Sequence, residues 1–154
     1  MSRPPGSAAP PLPITWVPRR SRAVAYAVAA VLVAGAVVFA VLLPARFHLP
    51  DRVGVVVFAC GLAWLLHMIG RCRVEADERG VTLVNPFRVR RYEWAELIDV
   101  SMEEGEPWPR IDLADGSSVS AMGIQGSEKA RARQAVAELR ALIRRYGEAQ
   151  EPTS

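Results

Sequence analysis

Lysine is almost missing from this chain: of 19 lysine and arginine residues, Lys129 alone is a lysine. The formal net charge is only +3, and the cations form no concentrated face on a known reading element, which excludes nucleic acid as a partner. Cysteine is scarce too. Cys60 lies inside an apolar run and Cys72 just after it, with no second pair at metal-ligand spacing, so both read as free thiols packed like small hydrophobes. Histidine is confined to His48 and His67, so the C-terminal half cannot assemble a Ser–His or Cys–His nucleophile pair. No glycine-rich phosphate loop follows a strand and no Cys/His cluster has zinc spacing. Glu103, Glu104 and Glu106 beside Trp108 read as a solvated loop. The expectation is a non-catalytic protein with no cofactor, no metal and no evident small-molecule substrate.

What the chain has in abundance is apolar surface, 51% of its residues, placed unevenly. Ala23 to Leu43 carries no charge and at 1.5 Å per helical residue reaches roughly 30 Å, the thickness of a bilayer's hydrocarbon core. A cleaved signal peptide would have a shorter apolar part and a small-x-small site, whereas this run ends in Leu43-Pro44-Ala45-Arg46. Val53 to Ile69 is a second apolar run, broken only by His67 in its last turn. The predicted organisation is a transmembrane helix over 23–43, a short extracytoplasmic loop over 44–52 and a second transmembrane helix over 53–70. The loop is too short for anything but an antiparallel hairpin. Arg19, Arg20 and Arg22 precede it and Arg71 and Arg73 follow it, against Arg46 and Arg52 in the loop, so the positive-inside rule puts both termini in the cytoplasm of a cell (inner) membrane. Apart from glycines and Cys60, the mid-span positions hold no polar or ionisable group, which argues against a channel or transporter path.

Residues 1–22 hold Pro4, Pro5, Pro10, Pro11, Pro13 and Pro18 and read as a disordered cytoplasmic tail. Trp16 is placed as an interfacial aromatic anchor. Residues 148–154 read as a second disordered tail.

From Cys72 the pattern alternates. Cys72, Val74 and Ala76 share one face, the turn Asp77–Gly80 follows, and Val81 and Leu83 alternate again before Asn85-Pro86, which together predict a β-hairpin. Phe87 and Val89 fall on one parity and Tyr92 and Trp94 on the other, so a β-bulge is expected near Arg90 and Arg91. Ile98, Val100 and Met102, then Ile111 and Leu113, then Val119 and Ala121 after the Asp115-Gly116 turn bring the count to about six strands. After Gly126 the period becomes helical over about 127–146, with Ala132, Ala135, Val136, Leu139, Leu142, Ile143 and Tyr146 on one stripe. Ser127 reads as its N-cap and Gly147 as its stop.

Six consecutive bent antiparallel strands capped by one C-terminal helix describe a pleckstrin-homology-like (PH-like) antiparallel β-barrel, a small α+β domain over 71–147. The segments Arg73–Asn85 (RVEADERGVTLVN) and Tyr92–Leu97 (YEWAEL) and the Asp115-Gly116 turn resemble the bacterial PH-like membrane proteins of the low molecular weight protein antigen 6 type, across roughly residues 71–146. The resemblance implies the fold and the preceding pair of spans, and its motifs are structural.

The candidate contact residues are Arg71 and Arg73, held at the bilayer surface by the second span, Arg88, Arg90 and Arg91 one strand later, and Trp108 between Pro107 and Pro109. Phosphoinositide binding does not carry over from eukaryotic PH domains, because the turn Asp77-Glu78-Arg79-Gly80 is partly acidic. Trp94 reads as core. The functional expectation is an integral membrane protein that uses its barrel as an interaction or scaffolding module for a protein partner. The alternatives are an anionic-lipid-binding module and a small subunit of a transporter or envelope complex.

Overall fold

The computed structural model describes residues 9–147, and the described chain divides into two compact units. One is Arg19–Arg71; the other joins the segment up to Pro18 with the chain from Cys72 onward.

The first unit is a helical hairpin of α1 (Arg19–Leu42) and α2 (Leu49–Gly70), both long and apolar enough to cross a membrane. Small residues make the inside: Ala25, Ala40, Ala59 and Gly70 are buried, while Val31, Leu42 and Phe58 are 73%, 75% and 70% exposed. Polar contacts join the helices at both ends. The Tyr26 hydroxyl and His67 Nδ1 meet at 3.0 Å near one end. At the other end Arg52 reaches across, its Nη1 donating to the Ala40 carbonyl (2.8 Å) and its Nη2 to that of Leu43 (2.7 Å). These carbonyls lie in the last turn of α1 and just beyond it, so Arg52 satisfies acceptors that a helix C-terminus leaves open and places a cation at its negative pole. Arg52 therefore belongs to α2 and not to the loop. Helix α2 starts earlier than the apolar run because Pro50 is tolerated in a first turn and the Asp51 carboxylate accepts the His48 amide at 2.9 Å.

Among the described residues the second unit contains seven strands in two antiparallel sheets, two 3₁₀ turns and the helix α3 (Lys129–Gly147). The first sheet has the order β1 (Ile14–Trp16), β2 (Arg73–Asp77), β3 (Gly80–Val84), β4 (Val89–Glu93); the second has β5 (Leu97–Ser101), β6 (Arg110–Leu113), β7 (Ser118–Ser120). The bent sheets do not close into a complete barrel, but strand order and terminal helix are those of a PH-like fold. The six strands expected after the hairpin are present, and a seventh comes from ahead of it.

That seventh strand corrects the reading of residues 1–22 as a disordered tail. Ile14, Thr15 and Trp16 are β-branched and aromatic, and they pair with Ala76, Glu75 and Val74. Pro13 and Pro18 flank this short edge strand, where proline costs no ladder bond. Trp16, expected as an interfacial anchor, instead packs against the domain core, and its Nε1 donates to Glu138 Oε2 on α3 at 2.8 Å. The expected disorder of residues 1–8 and 148–154 lies outside the described residues.

The bulge also moves. Strands β3 and β4 keep unbroken register from Gly80↔Glu93 to Val84↔Val89, because Phe87 and Val89 point outward, 74% and 58% exposed, and need no rescue. The register shift lies between Leu97 and Asp99. It lets Leu97 and Val100, three apart, both face inward and turns Ile98 out to 61% exposure.

Trp94 joins the parts of this domain. Its ring is fully buried, its Nε1 donates to the Asp77 carbonyl at 3.0 Å, and it stacks on Tyr146 of α3 with centroids 5.3 Å apart. The Arg140 guanidinium ties α3 to β5 through Asp99 Oδ1 at 2.9 Å and the Val100 carbonyl. Gly80 and Gly123 are fixed by close approach: a Cβ on Gly80 would sit 2.0 Å from the Tyr92 carbonyl oxygen, and one on Gly123 would sit 2.3 Å from the Arg73 carbonyl carbon. Helix α3 begins at Lys129, after a 3₁₀ turn over Gly126–Glu128 that takes up Ser127, the expected N-cap.

Candidate functional site

Strand β4 is an edge of the first sheet, and its alternation puts a buried and an exposed residue on one face. Arg90 and Tyr92 share that face, opposite Leu83 and Val81 of β3. Tyr92 is only 8% exposed, while Arg90 remains in solvent at the open seam. Arg88 joins from the turn before β4, which is closed by the Asn85 amide donating to the Arg88 carbonyl at 2.9 Å.

Opposite them runs β7, the edge strand of the second sheet. Asn85 holds it there: its side-chain amide donates to the Ser120 carbonyl (2.9 Å) and its carbonyl accepts the Met122 amide (3.2 Å). The result is a cleft of about 240 Å³ between β3–β4 and β7, whose polar lining includes Arg88, Arg90, Tyr92, Ser118 and Ser120. Among the described residues neither guanidinium has a carboxylate partner. The Tyr92 hydroxyl is buried with no hydrogen-bond partner, the one such side-chain atom found among the described residues. A buried hydroxyl without a partner costs roughly 1–3 kcal/mol, a cost the packing of Tyr92 in the core offsets.

The other residues singled out from the sequence do not join this cleft. Arg91, on the opposite face of β4, places Nη2 at 2.7 and 2.8 Å from the two oxygens of Asp77. That guanidinium, helped by the Arg79 and Gly80 amides, holds the Asp77 carboxyl below its ordinary range. Arg73 pairs with Glu75. Arg71 ends α2, with Nη1 3.9 Å from the Met68 sulfur. Trp108 stands 36% exposed in the β5–β6 loop beside a fully buried Pro109. The basic trio 88–90–91 is therefore a pair plus an ion-paired neighbour, as strand alternation requires.

Tyr92, Asn85, Ser118 and Ser120 escape the sequence reading. Tyr92 enters the sequence reading only through its parity with Trp94, and Asn85 as a turn marker; Ser118 and Ser120 flank the apolar Val119, and that spacing is a usable signal only once β7 is known to face Arg90. A second, larger depression of about 580 Å³ lies between the β5–β6 loop and α3, with Glu103, Glu104, Lys129 and Arg133 on its rim. Several of its polar groups are engaged already: Glu106 accepts the Glu103 amide at 3.0 Å, and Arg140 is held by β5. At the β6–β7 turn, the Ser117 amide and hydroxyl both donate to Asp115 Oδ1 and hold that carboxyl below its ordinary range.

Comparison with known proteins agrees with this architecture. The family model of the bacterial PH domain matches residues 71–142. An uncharacterized protein of Mycobacterium bovis and two of Mycobacterium tuberculosis are each 33% identical to the chain over 132 residues, covering 85% of it and 86% of their own length. No solved structure matches the chain. The 132 aligned residues outrun the 71–142 match, so the likeness takes in chain ahead of the domain as well. On the PH-domain match, the strand order and this shared length, the chain belongs to the bacterial PH-domain family.

Proposed function

We propose that this is a non-catalytic binding module, tethered to the inner membrane by its helical hairpin, that engages a protein partner on the cytoplasmic face. The observation that carries the reading is chain connectivity. The hairpin is inserted between two strands of one sheet: Trp16 pairs with Val74, and only Val17 and Pro18 separate β1 from α1, as Arg71 and Cys72 separate α2 from β2. A chain that crosses a bilayer along α1 must then come back along α2, or the β1–β2 ladder cannot form. Both ends of the hairpin share one side with the domain, and the arginines at those ends, Arg19, Arg20, Arg22, Arg71 and Arg73, favour the cytoplasm. The apolar exteriors of α1 and α2 supply the anchor.

The test is impermeant thiol labelling in intact cells, in a background with Cys60→Ala and Cys72→Ala. Arg46→Cys, between the helices, is expected to label from outside and Ala114→Cys, in the domain, only after lysis. The reverse pattern, or release of the chain by alkaline carbonate, overturns the tethered reading. For the interaction role, replacing both helices by unrelated spans is expected to keep the domain's cross-linked partner. Loss of that partner transfers the contact to the hairpin and rejects the module.

A further inference from the structure

We infer that the turn between β3 and β4, residues 85–88, is a lipid contact: Phe87 enters the apolar boundary of the leaflet that the hairpin crosses, and so fixes which end of the first sheet meets the bilayer. The inference rests on the tethered reading and adds to it the face of the domain that touches lipid.

Exposure singles out the residue. Phe87 is 74% exposed, more than Ile98, Val89 or Trp108, the other exposed large hydrophobic side chains among the described residues of the PH-like unit. Its exposure matches that of the outward residues of the hairpin, Val31 and Leu42. One exposed apolar side chain is ordinary on a protein surface, but this one has company and is held in place. Pro86 precedes it, and Val89, two residues on, is exposed as well. The Asn85 amide closes the turn on the Arg88 carbonyl, and the Asn85 side chain bonds Ser120 and Met122. A turn pinned in this way loses little freedom when its tip meets a partner.

Strand register identifies the partner. Trp16 pairs with Val74, Val74 with Leu83 and Leu83 with Arg90. One end of the first sheet therefore carries the departure of the chain towards α1, its return from α2 and the β3–β4 turn, while the Asp77–Gly80 turn lies at the other end. Neighbouring strands are about 4.8 Å apart, so the turn stands only ~5–10 Å to the side of β2. Three peptide steps lead from Trp16 to Arg19 and three from Gly70 to Arg73, a reach of at most ~11 Å. With α1 and α2 in a bilayer, lipid is the partner this turn meets first. The far end offers Asp77, Glu78 and Glu93 instead, carboxylates that apolar surroundings penalise. The contact is apolar, so it requires no anionic lipid, and its depth is that of an interfacial side chain, ~5–10 Å into the boundary between headgroups and acyl chains.

For the test, the full chain with Cys60→Ala and Cys72→Ala is placed in nanodiscs of neutral phosphatidylcholine. It carries one polarity-sensitive fluorophore, at Phe87→Cys, at Glu78→Cys on the far turn or at Val31→Cys midway along α1. The label at Phe87→Cys should emit to the blue of that at Glu78→Cys, be severalfold less open to aqueous iodide, and be quenched more by a lipid nitroxide near the headgroup than by one at the chain end. To show that the native ring acts and not the dye, the label is moved to Val89→Cys with Phe87 kept: a blue shift is expected there and should vanish with Phe87→Ser. The Val31→Cys label reads the tether separately, through quenching by the chain-end nitroxide. If that label lies in lipid while the one at Phe87→Cys is as open to iodide as the one at Glu78→Cys, the turn contact is rejected and the tether stands; iodide reaching both Val31→Cys and Phe87→Cys rejects the two together. A Phe87→Cys label shielded from iodide and nitroxide alike places the turn against protein, and one that leaves water only when anionic lipid is added makes it a follower of its charged neighbours. Either result, or a Val89→Cys shift that survives Phe87→Ser, overturns the inference.

Discussion

The helical hairpin and the PH-like domain are built inside out relative to each other. In the domain the largest fully buried side chain is Trp94, and Val74, Ile111 and Leu139 are equally enclosed. In the hairpin the large side chains stand outward and alanine and glycine fill the inside, with Phe58 70% and Trp64 57% exposed. A domain in water is held by moving apolar area inward. A hairpin with its apolar area outward gains nothing that way in water; it fits a solvent as apolar as itself, where small residues let helices approach and a few polar contacts hold them. The same residue type therefore has opposite value in the two units, and substitution can measure this.

The largest effect is expected at Trp94. Trp94→Ala should destabilise the domain by about 3–5 kcal/mol, since it opens the core, frees the Asp77 carbonyl and unstacks Tyr146. Trp64→Ala in α2 should leave the domain's denaturant midpoint unchanged. Equal effects at the two tryptophans would mean that the units do not unfold independently. The next effect is the mirror image. Val31→Arg, midway along α1 and 73% exposed, should cost membrane insertion about 2.5–3.5 kcal/mol, read as the fraction of chain resisting carbonate extraction. The same charge at exposed Val89 of β4 should leave insertion untouched.

Trp16 gives a smaller and more local effect, because it belongs to the domain although it precedes the hairpin in the chain. Trp16→Phe keeps the ring but removes the bond to Glu138, and should cost the domain about 1 kcal/mol with no change in membrane extraction. If Trp16 were an interfacial anchor the result would be reversed: extraction would change and domain stability would not.

These contrasts show why some of the molecule is legible in its sequence and some is not. The hairpin is written in composition, since uninterrupted apolar residues need no partner elsewhere to be recognised. The β2–β3 hairpin is written in alternation and turn chemistry, and α3 in its period; Trp94 is placed correctly as core from its position in a turn between strands. Strand β1 is hidden because three residues among prolines carry no pattern of their own, and only the edge of β2 makes them a strand. The bulge is misplaced from Arg90 to Ile98 because parity alone assumes that Phe87 and Val89 must be inside. The cleft is half legible: Arg88 and Arg90 are found as charge, but Tyr92, Ser118 and Ser120 acquire meaning only when two sheets that fail to close bring β4 and β7 face to face.

The smallest contrast lies within one strand, between Arg91 on one face of β4 and Arg90 on the other. The Arg91 guanidinium holds the Asp77 carboxyl below the ordinary aspartate value of 3.8. A carboxyl whose pKa is depressed in the folded state stabilises the fold fully above the unfolded value and loses that contribution as pH falls through the folded one. The stability difference between the native chain and Asp77→Asn should therefore be flat above about pH 5 and shrink below about pH 4. It should not exceed about 1 kcal/mol, because both partners are nearly half exposed and solvent screens them. Asp115 is depressed as well and titrates in the same window, but it is common to both proteins and cancels in the difference. Arg91→Gln should raise the Asp77 carboxyl only part of the way, since the Arg79 and Gly80 amides still donate to it.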